Sequence, residues 1–375
     1  MKQLDRRKLS ANIDAIAEAD LAEKKVFGSA YCVHQSGSTV FEKYYGTTGL
    51  DGAPVTGKTI FRTASMTKPI TAAAALILWD RGLLSLDDPA VKYLPALRGV
   101  HVIDADGTDH GEAKTLPTVR HMLCHTSGIG SDLEKCERMT PADKETMTAS
   151  LSYHVKSGLE FEPGTRQHYS GLAAFDAVGQ IIENLTGMDF QRYLQKELLA
   201  PCGMTDTVFT PSADQWARLT AIHNRIDGEN TEVPMAPGQV IDTYPCTHFV
   251  GGGGLVSTLP DYLNFAKMLL NRGRVGKAQI LSEEAVRQMS TPQVSAAIMP
   301  GNEVWGLGGR VITGKAYPSL PVGSFGWSGA YGCHFWVDPE NELCAVFMKN
   351  SLVDGGAGNQ SAQAFERAVY TAFAL

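Results

Sequence analysis

The chain has 375 residues and a formal net charge of −7, and its length predicts one large composite domain or two intertwined lobes. A hydrophobic content of 43% and a charged content of 19% are typical of a globular protein and exclude a disordered or fibrous one. The acidic balance, with no cluster of lysine and arginine, argues against a nucleic-acid partner.

The N-terminus and the cysteines indicate the compartment. Residues 1–8 are basic but lack the apolar segment of an export signal, and the apolar run 70–79 is too short to span a bilayer. We therefore expect a cytoplasmic protein with no membrane partner. The seven cysteines are odd in number and contain no C-x-x-C pair, which predicts reduced core thiols.

The N-terminal part predicts a helix, a hairpin and a second helix. Apolar residues at helical spacing predict a helix over 12–24. Two runs rich in aromatic and β-branched residues, 26–35 and 39–47, flank a Ser-Gly-Ser turn and predict a hairpin. Residues 66–79 are rich in Ala and Leu and predict a helix, which Gly82 fits as a left-handed cap.

The remaining elements predict two lobes. The middle of the chain predicts helices over 118–125, 171–185 and 189–199. After a glycine run, the sequence predicts helices over 261–271, 283–289 and 360–373 and strands over 304–313, 325–338 and 342–350. Strands at both chain ends predict one α/β lobe from residues 1–84 and 250–375, with residues 85–249 inserted as a mostly helical lobe.

Ser65 is the serine with a lysine three positions later, in Ser65-Met66-Thr67-Lys68. At a helix N-terminus, the helix dipole stabilises a developing oxyanion. Three residues turn the helix to about 60° from the starting face, so the Lys68 amine can approach the Ser65 hydroxyl. Acting as a base requires a lysine that is neutral part of the time. The alternative is a capping Ser65 with a solvated Lys68.

Two further segments carry candidate site residues. Tyr169 follows a Pro-Gly turn, and a tyrosinate beside a lysinium can act as base and then as acid. The alternative is a buried tyrosine with a satisfied hydroxyl. The glycine-rich segment 325–332 predicts a strand edge whose N–H groups can pair with a substrate carbonyl. The alternative there is a bulge or a tight bend.

Other chemistries lack support in the sequence. The histidines have no metal-ligand spacing with cysteines or carboxylates, so we expect no metal and no cofactor. The glycine run 251–254 lacks the ending of a phosphate loop and predicts a tight turn into a strand. Residues 326–329 are one residue short of a G-x-S-x-G elbow, which argues against an α/β-hydrolase.

In order and spacing, these segments resemble the serine β-lactamase-like superfamily, which includes class C β-lactamases, D-Ala-D-Ala carboxypeptidases, family VIII carboxylesterases and related acyltransferases. Residues 61–68 resemble its nucleophile motif, and His125-Thr126-Ser127-Gly128 resembles its H-T-S-G turn. The resemblance implies an α/β (α+β) fold of the β-lactamase/transpeptidase type. In that fold, helices flank an antiparallel sheet, and the active site lies in a cleft beside an inserted helical lobe.

The resemblance also implies roles for individual residues. Ser65 would be the nucleophile, and Lys68 and Tyr169 would move its proton, in an order that is left open. The oxyanion hole would be formed by the backbone N–H groups of Ser65 and Ala330. The residues that would contact substrate are Trp327, Ser328, Gly329 and Gly171.

Two positions depart from the lactamase pattern. Motif two, Tyr-x-Asn in lactamases, is Tyr169-Ser170-Gly171 here, so the amide that would bind an acylamino side chain is missing. Motif three begins with Trp327 instead of Lys or His, so an indole replaces the cation that would meet a carboxylate. An uncharged aromatic wall favours a neutral, apolar acyl or alcohol group. Arg310, or another cation, is the alternative contact for a carboxylate.

The sequence therefore predicts a carboxylesterase that cleaves small or medium esters through an acyl-enzyme at Ser65. The alternatives are an acyltransferase of the same fold, a β-lactamase or D-amino-acid peptidase, and a non-catalytic binding protein. We expect the loops at 130–148 and 224–247 to line the pocket. The natural small-molecule substrate and the oligomeric state are left open.

Overall fold

The computed structural model describes residues 3–130, 138–234, 249–314 and 319–374. Its helices are α1 (Arg6–Ala22), α2 (Thr67–Asp80), α3 (Val119–Leu123), α4 (Met147–Lys156), α5 (Ala173–Thr186), α6 (Phe190–Leu194), α7 (Ala213–Ala217), α8 (Leu259–Leu270), α9 (Glu283–Ser290) and α10 (Gln360–Thr371). A 3₁₀ turn, Ala64–Met66, precedes α2, and a π-helical turn, Gln195–Leu199, follows α6.

The strands are β1 (Gly28–Gln35), β2 (Ser38–Gly46), β3 (Ile60–Arg62), β4 (His101–Ile103), β5 (Asp109–Glu112), β6 (His223–Ile226), β7 (Glu229–Glu232), β8 (Val256–Thr258), β9 (Arg274–Val275), β10 (Ala278–Gln279), β11 (Glu303–Trp305), β12 (Arg310–Ile312), β13 (Phe325–Ser328), β14 (His334–Asp338) and β15 (Leu343–Lys349). Within the described ranges, seven strands form one sheet in the order β11-β12-β13-β14-β15-β1-β2. Neighbouring strands are antiparallel, and β1 from the N-terminal part lies beside β15, with Tyr31 opposite Phe347.

Two of the predicted strands are each a pair of strands. The run 304–313 forms β11 and β12, and the run 325–338 forms β13 and β14. The chain reverses between them at Gly308, with φ +85°, and at Gly332, with φ +94°. Glycine adopts these left-handed conformations without a steric cost. The prediction of single strands was wrong because glycine turns interrupt the apolar runs.

Helices cover both faces of the sheet. The α1–α10 pair covers one face, where Ile13 and Phe365 share a core with Trp336. On the other face, Tyr262 and Phe265 of α8 pack against Phe335, at 5.0 and 6.3 Å between ring centroids. Every residue of β1 is buried, as expected for a strand covered on both faces. The predicted antiparallel sheet flanked by helices is confirmed.

The first helix begins earlier than its apolar pattern predicts. Its N-cap is Asp5, whose carboxylate accepts from the backbone N–H groups of Arg7 at 2.9 Å and Lys8 at 3.1 Å. Such a cap satisfies N–H groups that have no partner within the helix. A polar first turn therefore extends the helix predicted over 12–24 back to Arg6.

Strands and loops from distant parts of the chain hold the turn that precedes α2. The Asn350 amide bonds both the N–H and the carbonyl of Arg62, each at 2.9 Å. The hydroxyl and the N–H of Thr63 donate to Leu255 O at 2.6 and 3.0 Å. These bonds support Ala64 in a left-handed conformation, with φ +44°, which costs a non-glycine residue about 1–2 kcal/mol. Ser65 follows directly.

The buried thiols and the burial of α2 match the predictions made from the sequence. Five cysteines in the described part of the chain are free and buried, whereas Cys136 and Cys246 lie outside the described residues. All but the last two residues of α2 are buried, and Gly82 beyond it has φ +70°. In the described ranges, every helix is too short or too polar to cross a bilayer.

The division into two lobes stays a prediction. The inserted segment contains α3 to α7 and also the hairpins β4–β5 and β6–β7. A bridge between Ile60 and Leu219 connects it to the strand before the Ser65 turn. The loops expected to line the pocket, 130–148 and 224–247, include residues 131–137 and 235–247, which lie outside the described residues.

Buried histidines make stability depend on pH. Burial lowers the pKa of His34, His121, His125, His223 and His334 below the ordinary value of 6.5. The unfolded chain then binds more protons than the folded one as the pH falls below about 6.5, so the free energy of unfolding decreases. We expect the urea midpoint to fall between about pH 7.5 and pH 5.5. A midpoint that is constant or higher at the lower pH would contradict this.

Candidate active site

Ser65 and Lys68 meet at the start of α2. Ser65 lies in the turn Ala64–Met66 and is partly buried, whereas Lys68 in the first turn of α2 is fully buried. The distance between Lys68 Nζ and Ser65 Oγ is 3.4 Å. The predicted approach of the amine to the hydroxyl is present, and the alternative of a solvated Lys68 is wrong.

Two backbone carbonyls orient the Lys68 amine. Nζ donates to Gly171 O at 2.5 Å and to Gly252 O at 2.7 Å. An ammonium has three N–H donors, which match these two carbonyls and Ser65 Oγ. A neutral amine has two N–H groups and a lone pair, so the carbonyls take both N–H groups and direct the lone pair towards Ser65. The same geometry suits a charged amine and a neutral general base.

Tyr169 lies just before α5 and beside the amine. Ser170 Oγ accepts from Ala174 N at 3.1 Å, which attaches this segment to the first turn of α5. The centroid of the Tyr169 ring is 4.8 Å from Lys68 Nζ. The Tyr169 hydroxyl oxygen accepts a long hydrogen bond from Trp327 Nε1, at 3.4 Å. The structure therefore brings Tyr169 together with Lys68 and Trp327.

His125 packs against the Tyr169 ring and bonds the backbone of the next residue. Its Nδ1 accepts from Ser170 N at 3.1 Å, and its ring centroid lies 4.5 Å from that of Tyr169 and 4.4 Å from that of Trp305. Burial lowers the pKa of His125 well below 6.5, and the charge of Lys68 lowers it further. The ring is therefore neutral, with its proton on Nε2. His125 fixes the motif-two backbone without adding a charge to the site.

Trp327 and Ser328 point to opposite faces of the sheet, as neighbours in a strand do. The Trp327 ring lies 5.7 Å from that of Tyr169 between centroids. Ser328 is 2% exposed and its Oγ is 2.8 Å from Nδ1 of His334. The Ser328 side chain therefore faces away from the Ser65 side of the sheet, and the prediction that this side chain contacts substrate is wrong.

Gly329 brings the end of β13 against the Ser65 turn. A Cβ at this position would lie 2.3 Å from Thr63 O, so a larger residue would separate the two segments. Ala330 is exposed, and its carbonyl accepts from Gly356 N at 2.8 Å. Its N–H has no acceptor among the described residues. The oxyanion hole of Ser65 and Ala330 stays a prediction that this placement allows.

Arg310 does not serve as the alternative cation. Its side chain is buried and pairs with Glu366 at 2.8 Å and Glu303 at 3.2 Å. Glu366 belongs to α10, on the face of the sheet opposite α8. The expectation that Arg310 could meet a substrate carboxylate is therefore wrong.

Three residues of the site lacked a role in the sequence interpretation. His125 and Trp305 surround Tyr169, and Gly252 supplies a carbonyl to Lys68. A Cβ at Gly252 would lie 2.7 Å from Leu172 Cα, so the glycine run permits close approach to the motif-two segment. The run itself was a visible signal, and its turn into β8 is confirmed. Gly171 contributes its carbonyl to Lys68, and its contact with substrate stays a prediction.

Comparisons with known proteins identify the family and the fold of this chain. A family model described as Beta-lactamase matches residues 13–367. Protein Rv1367c of Mycobacterium tuberculosis (strain ATCC 25618 / H37Rv) is 33% identical over 325 residues, which cover 79% of each chain. Esterase EstB of Burkholderia gladioli is 28% identical over 384 residues, 95% of this chain and 94% of the relative. The structure of EstCE1, a hydrolase with promiscuous acyltransferase activity, has a TM-score of 0.82 at 21% identity and covers 97% of this chain and 99% of its own.

The chain belongs to the beta-lactamase family. Members of this superfamily are serine hydrolases, and the relatives include esterases and putative D-alanyl-D-alanine carboxypeptidases. The resemblance based on residues 61–68 and the H-T-S-G turn is therefore confirmed. The likeness to EstCE1 confirms the predicted fold class.

The close contact at Gly329 is testable. The Gly329→Ala substitution must move β13 away from Thr63, and we expect a loss of at least about tenfold in the rate of Ser65 labelling by a fluorophosphonate. Stability should fall by about 1–3 kcal/mol, as in an overpacked site. Gly57→Ala is the control, because the atoms nearest to its Cβ would belong to the side chains of Tyr44, with the hydroxyl at 2.9 Å, and Pro260. Equal labelling rates for both variants would contradict the close contact.

Proposed function

We propose that this protein is a carboxylesterase that hydrolyses neutral, small or medium esters through an acyl-enzyme at Ser65. The observation that carries the proposal is the buried Lys68 amine, which two carbonyls hold 3.4 Å from the Ser65 hydroxyl. The indole of Trp327 beside Tyr169, where a lactamase has a cation, supports a neutral substrate.

The proposed reaction has two half-reactions. In acylation, Ser65 Oγ attacks the ester carbonyl, and its proton passes to Lys68 or, through it, to Tyr169. The N–H groups of Ser65 and Ala330 stabilise the oxyanion, and the proton returns to the departing alcohol. In deacylation, water repeats the attack on the acyl carbonyl and releases the acid, with the same groups as base and acid.

The charges around the site favour a neutral ester. Trp327 presents a ring and an N–H group, and that N–H group is bonded to the Tyr169 oxygen. The cation that the sequence offered as an alternative, Arg310, is paired with Glu366 and Glu303. A substrate carboxylate would lose its hydration without gaining a charged partner from these groups, which is unfavourable. The name of Esterase EstB among the relatives also supports an esterase.

An acyltransferase is the second candidate. EstCE1, with the same fold, is described as a hydrolase with promiscuous acyltransferase activity. An acceptor alcohol that reaches the acyl carbonyl in place of water would give transfer by the same steps. Product analysis of p-nitrophenyl butyrate turnover with added alcohols separates the two activities, since transfer yields the new ester and hydrolysis yields only butyrate.

The acyl-enzyme is tested by intact-mass spectrometry after fluorophosphonate treatment, together with p-nitrophenyl acetate and butyrate hydrolysis. We expect one adduct on the wild type, and loss of both the adduct and the hydrolysis in Ser65→Ala. The matched control is Ser38→Ala, an exposed serine at the β1–β2 turn, which should behave as the wild type. Adduct formation that survives in Ser65→Ala, or a wild type that neither labels nor turns over ester, would contradict the proposal.

Trp327 provides a test of substrate charge. Trp327→Lys restores a cation, so we expect the ratio of kcat/KM for a carboxylate-bearing ester to that for p-nitrophenyl butyrate to rise by about tenfold or more. Trp327→Phe, which removes the N–H group without adding charge, should leave the ratio within about twofold of wild type. A ratio that is the same in both variants would show that this position does not select substrate charge.

A further inference from the structure

A buried chain of polar groups lies behind the strand that carries Trp327. Ser328 and His334 are opposite each other in the β13–β14 pair, and Ser328 Oγ is 2.8 Å from His334 Nδ1. His334 Nε2 is 3.0 Å from Glu366 Oε1 on α10, at close range but outside hydrogen-bond alignment. Glu366 in turn pairs with Arg310 at 2.8 Å. Exposure of the first three side chains is 2% or less.

The protonation states follow from the partners. Burial would raise the pKa of Glu366, but its contacts with His334, Arg310 and Ser319 outweigh burial, so the pKa is lowered. Glu366 is therefore a carboxylate that can only accept protons. Burial lowers the pKa of His334, against the opposing effect of Glu366, so the ring is neutral.

A neutral ring carries one proton, and the carboxylate 3.0 Å from Nε2 favours the tautomer that places this proton on Nε2. Nε2 faces Glu366 and carries the proton, so Nδ1 is the acceptor. The Ser328 hydroxyl must then donate to His334. The Ser328–His334 bond lies on the face of the sheet that α10 covers, away from the Ser65 side.

We propose that His334, which lies between Ser328 and Glu366, is a positioning residue that holds Ser328 and thereby the end of β13 in the geometry that acylation of Ser65 requires. The inference rests on the proposed function, because its readout is the chemistry at Ser65. Ser328 lies between Trp327, whose indole bonds Tyr169, and Gly329, which touches the Ser65 turn. A shift at Ser328 therefore displaces both contacts.

Neighbouring contacts fix the same segment at its other end. The N–H of Gly329 donates to Cys333 O at 2.7 Å, and Gly356 N donates to Ala330 O at 2.8 Å. The backbone from Gly329 onwards thus has its own supports. Ser328 is the position where a side-chain bond is available, and His334 supplies its acceptor. The rate of a reaction falls steeply when the reacting groups are displaced by about 1 Å.

The test compares two replacements of His334. His334→Leu removes the acceptor, whereas His334→Asn keeps an oxygen at the position of Nδ1. We expect His334→Leu to lower kcat for p-nitrophenyl butyrate and the rate of fluorophosphonate labelling by about tenfold, with KM within about twofold of wild type. His334→Asn should recover to within about threefold of wild type. Unfolding midpoints identify the variants that fold.

Ser328→Ala and the double variant complete a cycle. Ser328→Ala should lose about as much as His334→Leu, and the double variant should lose no more than either, because the two residues share one interaction. If His334→Leu does not fold, Ser328→Ala still tests the positioning role, because it leaves His334 and Glu366 in place. His34→Leu is the control, because His34 is a buried histidine in β1 of the same sheet, and it should leave kcat unchanged.

Several results would overturn the inference. They are a full rate in Ser328→Ala, a His334→Asn rate as low as that of His334→Leu, losses that multiply in the double variant, or an equal loss in His34→Leu. Failure of the proposed function is distinguishable from these, because it would appear as a wild type without labelling or as labelling that persists in Ser65→Ala.

Discussion

The site depends on how the Lys68 amine is held. Three acceptors from separate parts of the chain surround it: Ser65 Oγ in the turn before α2, the Gly171 carbonyl before α5, and the Gly252 carbonyl in the glycine turn before β8. The amine therefore links Ser65 to both loops. Local contacts hold both carbonyls in place. Ser170 bonds the segment that contains Gly171 to α5, and the absence of a side chain at Gly252 allows its turn to contact that segment.

Uncharged aromatic rings lie around this amine, and one of them, Trp327, stands where lactamases have a cation. Trp327 and Trp305 pack at 4.5 Å between ring centroids, and both rings face Tyr169. Trp327 gives the Tyr169 oxygen a hydrogen-bond donor and places an uncharged ring beside it, which supports the proposed neutral substrate. Arg310 in β12 of the same sheet pairs with Glu366 on the other face. The uncharged Trp327 on one face and the paired Arg310 on the other both support the proposed neutral ester as substrate.

The part of the site that is local in sequence could be predicted, and the part made by long-range contacts could not. Ser65 and Lys68 lie three residues apart on one helix, so helical geometry brings them together. Gly252 reaches Lys68 across 184 positions, and no periodicity reveals such a contact. The face of Ser328 was predictable, because a strand that directs Trp327 to one face directs Ser328 to the other. The glycine turns inside two apolar runs were likewise visible as Gly308-Gly309 and Gly329 to Gly332.

The most direct test of the account is a crystal structure of the protein after reaction with a fluorophosphonate that bears a neutral alkyl chain. We predict a bond from phosphorus to Ser65 Oγ, the phosphoryl oxygen within hydrogen-bond distance of the N–H groups of Ser65 and Ala330, and the alkyl chain against Trp327. An adduct on another residue, or a phosphoryl oxygen turned away from both N–H groups, would contradict it.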